Sequence, residues 1–219
     1  MTTIVLATQN PGKIREMRAL LADSGTEILG LDDLGQSFTE PDETGTTFAE
    51  NATIKATTYA RLTGHWCLAD DSGLEVDALR GAPGVISSHY AFGGETGGRA
   101  AELTREQRDA ENITRLLNDL DAVDIKDRAA RFVCTMVLSD PQGQIHATTT
   151  GAFEGIIGLP GDVPRGEGGF GYDPVFLVAP EHTRASSELS PDEKNALSHR
   201  GQAVRAMISA IGSIPELSA

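Results

Sequence analysis

One stretch constrains this chain more than any other: Trp66-Cys67-Leu68-Ala69-Asp70-Asp71-Ser72-Gly73-Leu74-Glu75-Val76. An apolar run climbs to Ala69, then two adjacent carboxylates, a hydroxyl and a glycine follow, and an apolar alternation resumes. Short apolar runs closed by turn residues read as buried strands. Ionised carboxylates leave water only when paired or bound to metal, so a strand that delivers Asp-Asp to its end needs cations around it. Taken alone, Asp70 to Gly73 favour a solvated Asx turn, because Asp, Ser and Gly all stabilise turns locally. The remainder of the chain favours the strand.

With 219 residues the chain can build one substantial α/β domain or two small lobes on a shared core. No apolar run approaches the roughly 20 residues of a membrane span. Met1-Thr2-Thr3 opens straight into a strand without the charged and apolar segments of a signal peptide. Cys67 and Cys134 lie in apolar strand-like runs without CxxC spacing, which reads as two buried thiols in a reducing cytosol rather than a disulfide or a zinc site. These features predict a cytoplasmic protein that binds no membrane. The net charge of -14 argues against the extended basic face that nucleic acid requires. It leaves room for a small polyanion held by a few cations, a helix N-terminus and Mg²⁺.

Ile4-Val5-Leu6-Ala7 reads as a first buried strand. Thr8-Gln9-Asn10-Pro11-Gly12-Lys13 then leads into a helix from Pro11 to Leu21 that turns Ile14, Met17, Leu20 and Leu21 to one face. Backbone N–H groups and the helix dipole make such a junction favourable for phosphate, although the P-loop glycine spacing is absent. An ordinary βα turn with a solvated lysine fits the same residues. Glu27 to Leu31 predicts a second strand, and Glu40 to Gly45 an acidic loop. Thr47-Phe48-Ala49-Glu50 is a capping box that opens a helix reaching Leu62 and stopping at Gly64. Glu50, Asn51 and Lys55 could reach a site from its first turns, while capping alone also explains Glu50.

Gly81-Ala82-Pro83-Gly84-Val85 is a rigid turn, and Gly93 to Gly98 a glycine-rich loop. Leu103 to Leu120 reads as a helix with Ile113, Leu116, Leu117 and Leu120 on one face. Arg131 to Leu138 and Ile145 to Phe153 alternate as two strands of a hairpin that turns at Asp140-Pro141-Gln142-Gly143. Gly166-Glu167-Gly168-Gly169-Phe170-Gly171-Tyr172-Asp173-Pro174 either lets a backbone approach a ligand closely or forms a tight loop whose rings cap the core. From Ser190-Pro191-Asp192-Glu193, Pro at the first position and an acidic first turn predict one helix running past Ser198-His199-Arg200 to Ile211. Lys194 and His199-Arg200 then lie roughly one and a half turns apart and converge only through curvature or side-chain reach. No linker or repeat marks a boundary, so residues 1–219 read as a single domain.

Six ordered motifs run through the chain. They are Thr8 to Lys13, Glu43-Thr44-Gly45-Thr46-Thr47-Phe48-Ala49-Glu50-Asn51-Ala52, Ala69-Asp70-Asp71-Ser72-Gly73-Leu74, Gly81-Ala82-Pro83-Gly84, Gly168 to Pro174, and Ser198-His199-Arg200-Gly201. Together they resemble the Ham1-like inosine/xanthosine triphosphate pyrophosphatases, from Ile4 to about Ile211. The resemblance implies an α/β fold: an elongated mixed β-sheet flanked by helices, with two lobes, a central substrate cleft and a homodimeric assembly. It implies hydrolysis of non-standard purine nucleoside triphosphates (ITP, dITP, XTP) to the monophosphate and pyrophosphate with Mg²⁺. Thr8, Gln9, Asn10, Pro11, Gly12 and Lys13 would hold the phosphates, Asp71 would be general base and metal contact, and Ser72 would touch substrate. Phe170, Gly171, Tyr172, Asp173, Lys194, His199 and Arg200 would form the base and phosphate pocket. Glu43 is the first choice for a further metal ligand, with Asp42 and Glu50 behind it. Two departures stand out: His89, in Ser87-Ser88-His89-Tyr90, takes the place of an arginine, and the Gly93 to Gly98 loop is longer than the pattern.

The chemistry agrees with that resemblance. An attacking water must lose a proton while charge builds on phosphate, so the reaction wants a carboxylate beside a cation. A lone Asp, with a reference pKa of about 3.9, is a weak base, and Mg²⁺ relieves the mismatch. Neighbouring strand residues point to opposite faces, so one aspartate of the doublet faces the substrate, and the resemblance selects Asp71. Phe170 offers a stacking face, and a donor such as Arg200 or Lys194 would pair with the C6 oxygen of hypoxanthine or xanthine and oppose the adenine amino group. Two other readings remain: a Maf-like nucleotide pyrophosphatase and a non-catalytic nucleotide-binding module.

Overall fold

The computed structural model describes residues 3–22 and 26–217, so Met1 and Thr2 of the predicted opening lie outside it. In chain order the elements are β1 (Thr3–Leu6), α1 (Pro11–Leu21), β2 (Glu27–Gly30), α2 (Phe48–Thr63), β3 (Trp66–Val76), α3 (Arg99–Glu102) and α4 (Arg105–Asp119). Then follow β4 (Ala129–Ser139), β5 (Ile145–Ile157), β6 (Phe176–Val178), α5 (Pro191–Leu197) and α6 (His199–Ile211). The strands form one mixed sheet in the order β2-β1-β3-β4-β5-β6, with β1 parallel to β2 and β3, and β5 antiparallel to β6. No helix of the described residues is long and apolar enough to cross a membrane. The chain divides into two compact units, one of residues 1–72, 134–151 and 198–219, the other of 73–133 and 152–197.

In the first unit the two-residue period of the strands sorts side chains between two helical layers. Ile4 and Leu6 of β1, Trp66 and Leu68 of β3 and Met136 of β4 pack with Met17 and Leu21 of α1 and Val204 and Met207 of α6. Their neighbours Val5, Ala7, Cys67, Ala69 and Val137 pack on the opposite face, against Ala52, Ala56, Tyr59 and Ala60 of α2. Helices α1 and α2 are punctuated as the sequence predicts. Asn10 caps α1, with Pro at the first turn, and the Thr47–Glu50 box caps α2, which ends at Gly64 in a left-handed conformation. Cys67 and Cys134 are buried free thiols, and burial pushes them up to about 11 and about 12. Gly151 of β5 faces the start of α6, where a side chain would collide with the His199 carbonyl and lie 2.8 Å from the Ala203 nitrogen.

The second unit packs Leu116 of α4, Leu120 just past its end and the partly buried Ile113 and Leu117 against Leu74, Val76, Phe132, Phe153, Ile157 and Phe176. The buried Arg128 guanidinium donates to the carbonyls of Leu120, Val123 and Gly158 and so ties the end of α4 to the end of β5. Several predicted boundaries move, and the hairpin strands are longer than predicted, Ala129–Ser139 and Ile145–Ile157. β2 ends at Gly30, because Leu31 opens a 3₁₀ turn. The helix predicted from Leu103 starts at Arg105: Thr104 and Gln107 form a capping box, and Leu103 is extended. The largest correction concerns the last helix, which is two. Ser198 leaves the helical region (φ -66°, ψ 157°) and its hydroxyl accepts the Gly201 N–H at 3.1 Å, so the chain stops and restarts. The break falls between Lys194 and the His199-Arg200 pair. Lys194 lies in the second unit, and the other two lie in the first.

Candidate active site

The pleat of β3 decides where the two acids go. Asp70 and Ser72 continue the Trp66 and Leu68 side of the strand, facing α1 and α6, and Asp71 continues the Cys67 and Ala69 side, facing α2. Both carboxylates are buried. Around Asp70, one oxygen gathers nearly everything: Oδ2 lies 3.0 Å from Lys13 Nζ and 3.2 Å from Arg200 Nη2, and accepts the Ser72 hydroxyl at 3.4 Å. Arg200, only 2% exposed, also donates to Ser72 Oγ at 2.9 Å and pairs with Glu16. Burial opposes the Asp70 charge, but Lys13 and Arg200 overcome it and hold the carboxyl well below the usual range. Its other oxygen, Oδ1, is buried without a hydrogen-bond partner among the described residues.

Asp71 meets a different set. Lys55 Nζ approaches its Oδ1 at 2.9 Å, and Asn51 Nδ2 donates to its Oδ2 at 3.4 Å. Lys55 and Asn51 are both buried and stand one turn apart on α2, so a single helix face supplies both partners. Burial raises the Asp71 carboxyl above its ordinary value, Lys55 and Lys13 oppose that push, and Glu43 adds to it. Burial likewise opposes the Lys55 charge, yet Asp71 and Glu43 outweigh it and the ammonium holds its proton more tightly than usual. The carboxyls of two adjacent residues are therefore shifted in opposite directions.

The other predicted residues of this unit fall beside them. Asn10 Oδ1 accepts the N–H groups of Gly12 and Lys13 at 3.0 and 3.3 Å, so two of the amides expected to face phosphate are already capped. The Asn10 N–H donates to Thr8 Oγ1 at 3.2 Å, and Gln9 Nε2 donates to the Phe38 carbonyl at 3.1 Å. Pro11 occupies the first turn of α1, and His199 is buried at the first turn of α6. Glu43 Oε1 and Asp71 Oδ1 converge on the Lys55 ammonium at 3.2 and 2.9 Å. Hard oxygens converging on one point of positive charge suit Mg²⁺, which takes one or two carboxylates and completes its shell with water and substrate phosphate. The residues fit a divalent cation on those terms. No group of three or more His, Cys, Asp or Glu that could hold a metal exists among the described residues, so substrate oxygens would have to help. Asp42 is exposed, and Glu50 is committed to capping, accepting the Thr46 and Thr47 N–H groups at 2.7 and 3.1 Å.

In the second unit Phe170, Gly171, Tyr172 and Asp173 form one turn held by its own carboxylate, which Lys194 of α5 joins. Asp173 Oδ2 accepts the Phe170 N–H at 2.8 Å and the Lys194 ammonium at 2.6 Å, and Oδ1 accepts the Ser186 hydroxyl at 2.7 Å. The buried Tyr172 donates its hydroxyl to the Ser87 carbonyl at 2.8 Å. Phe170 is half-buried, with the Lys194 ammonium over its ring, 5.2 Å from the centroid. His89, the departure from the family pattern, lies with Nδ1 2.9 Å from Ser88 Oγ, and burial together with Arg108 lowers its pKa. Sequence reasoning missed Glu16 as the second partner of Arg200 and the Glu43–Lys55 pair, because neither contact has a local spacing to betray it.

The sequence model described as the Ham1 family matches residues 4–210. A Nitratidesulfovibrio vulgaris protein named dITP/XTP pyrophosphatase is 48% identical over 206 residues, covering 94% of each chain. A Bacillus licheniformis protein of the same name is 44% identical over 205 residues, covering 94% of this chain and 95% of its own. Among solved structures, a HAM1 protein from Coxiella burnetii superposes with a TM-score of 0.80 at 42% identity, covering 98% of this chain and 100% of the other. With the carboxylate doublet, its cations and the Phe170–Asp173 turn in the motif order that the resemblance requires, the chain belongs to the Ham1 family.

Proposed function

We propose that this chain hydrolyses non-standard purine nucleoside triphosphates (ITP, dITP and XTP) to the monophosphate and pyrophosphate, with Asp71 as general base and Mg²⁺ as cofactor. The observation that carries the proposal is the buried Asp70-Asp71 pair, matched by Lys13 and Arg200 on one face of β3 and by Lys55 on the other. The shared name of the relatives, dITP/XTP pyrophosphatase, supports the substrate class. The products fix the α–β anhydride as the bond that breaks.

Asp71 takes the proton of the attacking water at Oδ2, whose partner among the described residues is Asn51 at 3.4 Å, and leaves Oδ1 to the cations. Its raised carboxyl is a stronger base than a solvated aspartate. Asp71 and Glu43 would hold the Mg²⁺, which supplies positive charge against the phosphate oxygens and eases loss of the water's proton. Lys13 binds phosphate oxygens from the end of its flexible stem, and Asp70, itself fixed by Arg200, keeps that lysine in place. In the second unit Phe170 stacks the purine, an interaction worth about 1–3 kcal/mol. Lys194 donates to the C6 oxygen, so adenine would leave buried polar groups unpaired. Arg200, whose donors meet Asp70, Ser72 and Glu16, orients Asp70 in this reading.

The enzyme works in the cytoplasm beside the nucleotide pool, as its two free thiols predict, and as a homodimer, as the family resemblance implies; a monomer mass in sedimentation would remove the dimer. A panel of ITP, XTP, dITP, ATP, GTP, dTTP and UTP with Mg²⁺, read as pyrophosphate released, tests the whole proposal. Equal turnover of ATP and ITP removes the sanitising role, preference for dTTP or UTP favours the Maf-like reading, and no pyrophosphate from any substrate removes the enzyme.

A further inference from the structure

Helix α4 carries two residues that this chemistry leaves unused. Arg105 and Asp109 stand one turn apart on one face, with Arg105 Nε 3.9 Å from Asp109 Oδ2. Both reach the turn assigned to the base. Asp109 Oδ2 accepts the Gly171 N–H at 2.9 Å, and the Arg105 guanidinium stands over the Phe170 ring, 5.0 Å from its centroid. The Phe170 N–H is held at 2.8 Å by Asp173, a residue of the turn itself. The two amides that flank the Phe170 side chain are thus fixed by two different carboxylates, one local and one on α4. Fixing both peptide planes sets the direction of the ring before any ligand arrives, and stacking benefits from a platform already ordered.

We propose that Asp109, with Arg105, is a positioning residue for purine recognition: Asp109 fixes the Gly171 amide, and Arg105 steadies the Phe170 ring against which the base lies. The inference rests on reading Phe170 as the stacking surface. It assigns to α4 a share of substrate affinity and no share of the bond-breaking step.

The test uses the full chain, steady-state kinetics with ITP, and inorganic tripolyphosphate as an inhibitor that has phosphates and no base. Asp109→Ala is expected to raise KM for ITP about tenfold with kcat within about twofold, and to leave tripolyphosphate inhibition unchanged. Asp109→Asn keeps an acceptor oxygen for the Gly171 N–H and should return KM to within about threefold of the starting protein. An unchanged KM in Asp109→Ala overturns the inference, and so does equal weakening of ITP and tripolyphosphate, the mark of general loosening. If Asp109→Ala does not fold, Arg105→Ala at its half-exposed position decides: about a threefold rise in KM for ITP alone is expected, and no rise overturns the inference. Phe170→Ala separates the two levels. An unchanged KM there removes the stacking platform itself, whereas a raised KM there beside an unchanged KM in Asp109→Ala removes only the role of α4.

Discussion

The two units handle buried acid differently. In the first, Asp70 and Asp71 sit on a central strand and meet cations from three helices, α1, α2 and α6. In the second, Asp173 sits in a turn and is satisfied by a backbone N–H, a hydroxyl and a lysine no more than 21 residues away. Strand acids with distant cations concentrate charge at a rigid place, which suits work on a polyanion. A turn acid with near partners shapes a loop, which suits recognition of an uncharged ring. Within the first unit the contrast sharpens again: Asp70 is held ionised by two cations, while Asp71 is pushed toward protonation by burial.

The widest effect should come from Asp71→Asn, which removes the proposed base. Turnover of ITP is expected to fall by about 10²–10⁴-fold while calorimetry still detects nucleotide binding. Wild-type turnover would put the base elsewhere and erase the contrast with Asp70. Next comes Asp70→Asn, which should act on stability, because it takes from Lys13 and the buried Arg200 the carboxylate they share and leaves Arg200 to Glu16 and Ser72. The expected loss is about 3–5 kcal/mol by urea unfolding. Since the folded Asp70 carboxyl lies below the unfolded value of about 3.9, its contribution is complete above about pH 5 and is lost as the pH falls through the acid range. A stability flat from pH 6 to pH 2 would contradict that account.

Asp173→Ala should affect the other unit more mildly. It leaves the Phe170 N–H and the Ser186 hydroxyl without their acceptor, at a cost of about 1–3 kcal/mol, and should raise KM for ITP more than it lowers kcat. A pure kcat defect would place Asp173 with the chemistry and blur the division between the units. The smallest effect is a displacement of the pH profile. Because the Asp71 carboxyl is raised, the acid limb of kcat/KM should lie above the reference value of about 3.9 and move when Lys55 is replaced by Met. An acid limb at or below that reference would mean that burial does not tune the base.

Most local structure was legible because its causes are local. Thr47 and Glu50 sit three apart and cap each other, Pro11 marks the start of α1, and Asp140 accepts the N–H groups of Gln142 and Gln144 at 2.9 Å, making the predicted hairpin turn. The pleat rule separated Asp70 from Asp71 in advance, although it gave a substrate-facing side to only one of them, whereas each finds a cationic wall of its own. What stayed hidden was long-range. Glu16 and Arg200 are 184 residues apart, and nothing in either neighbourhood announces the other. Ser198 was different, since a serine before a restarting helix is a cap signal. The strong start signal of Ser190-Pro191-Asp192-Glu193 just upstream concealed it.

Odd and even positions along β3 thus lead to different helices, and that parity has a consequence for variation. Deleting a single codon between Cys67 and Ala69 would exchange the surroundings of the doublet, turning each acid toward the other's counter-ions, while every residue needed for the reaction remained encoded. Loss of two codons would restore the facing and merely shorten the ribbon. Tolerance to deletion in this segment should therefore alternate with length, a signature that a library of in-frame deletions could read without any assay of individual side chains.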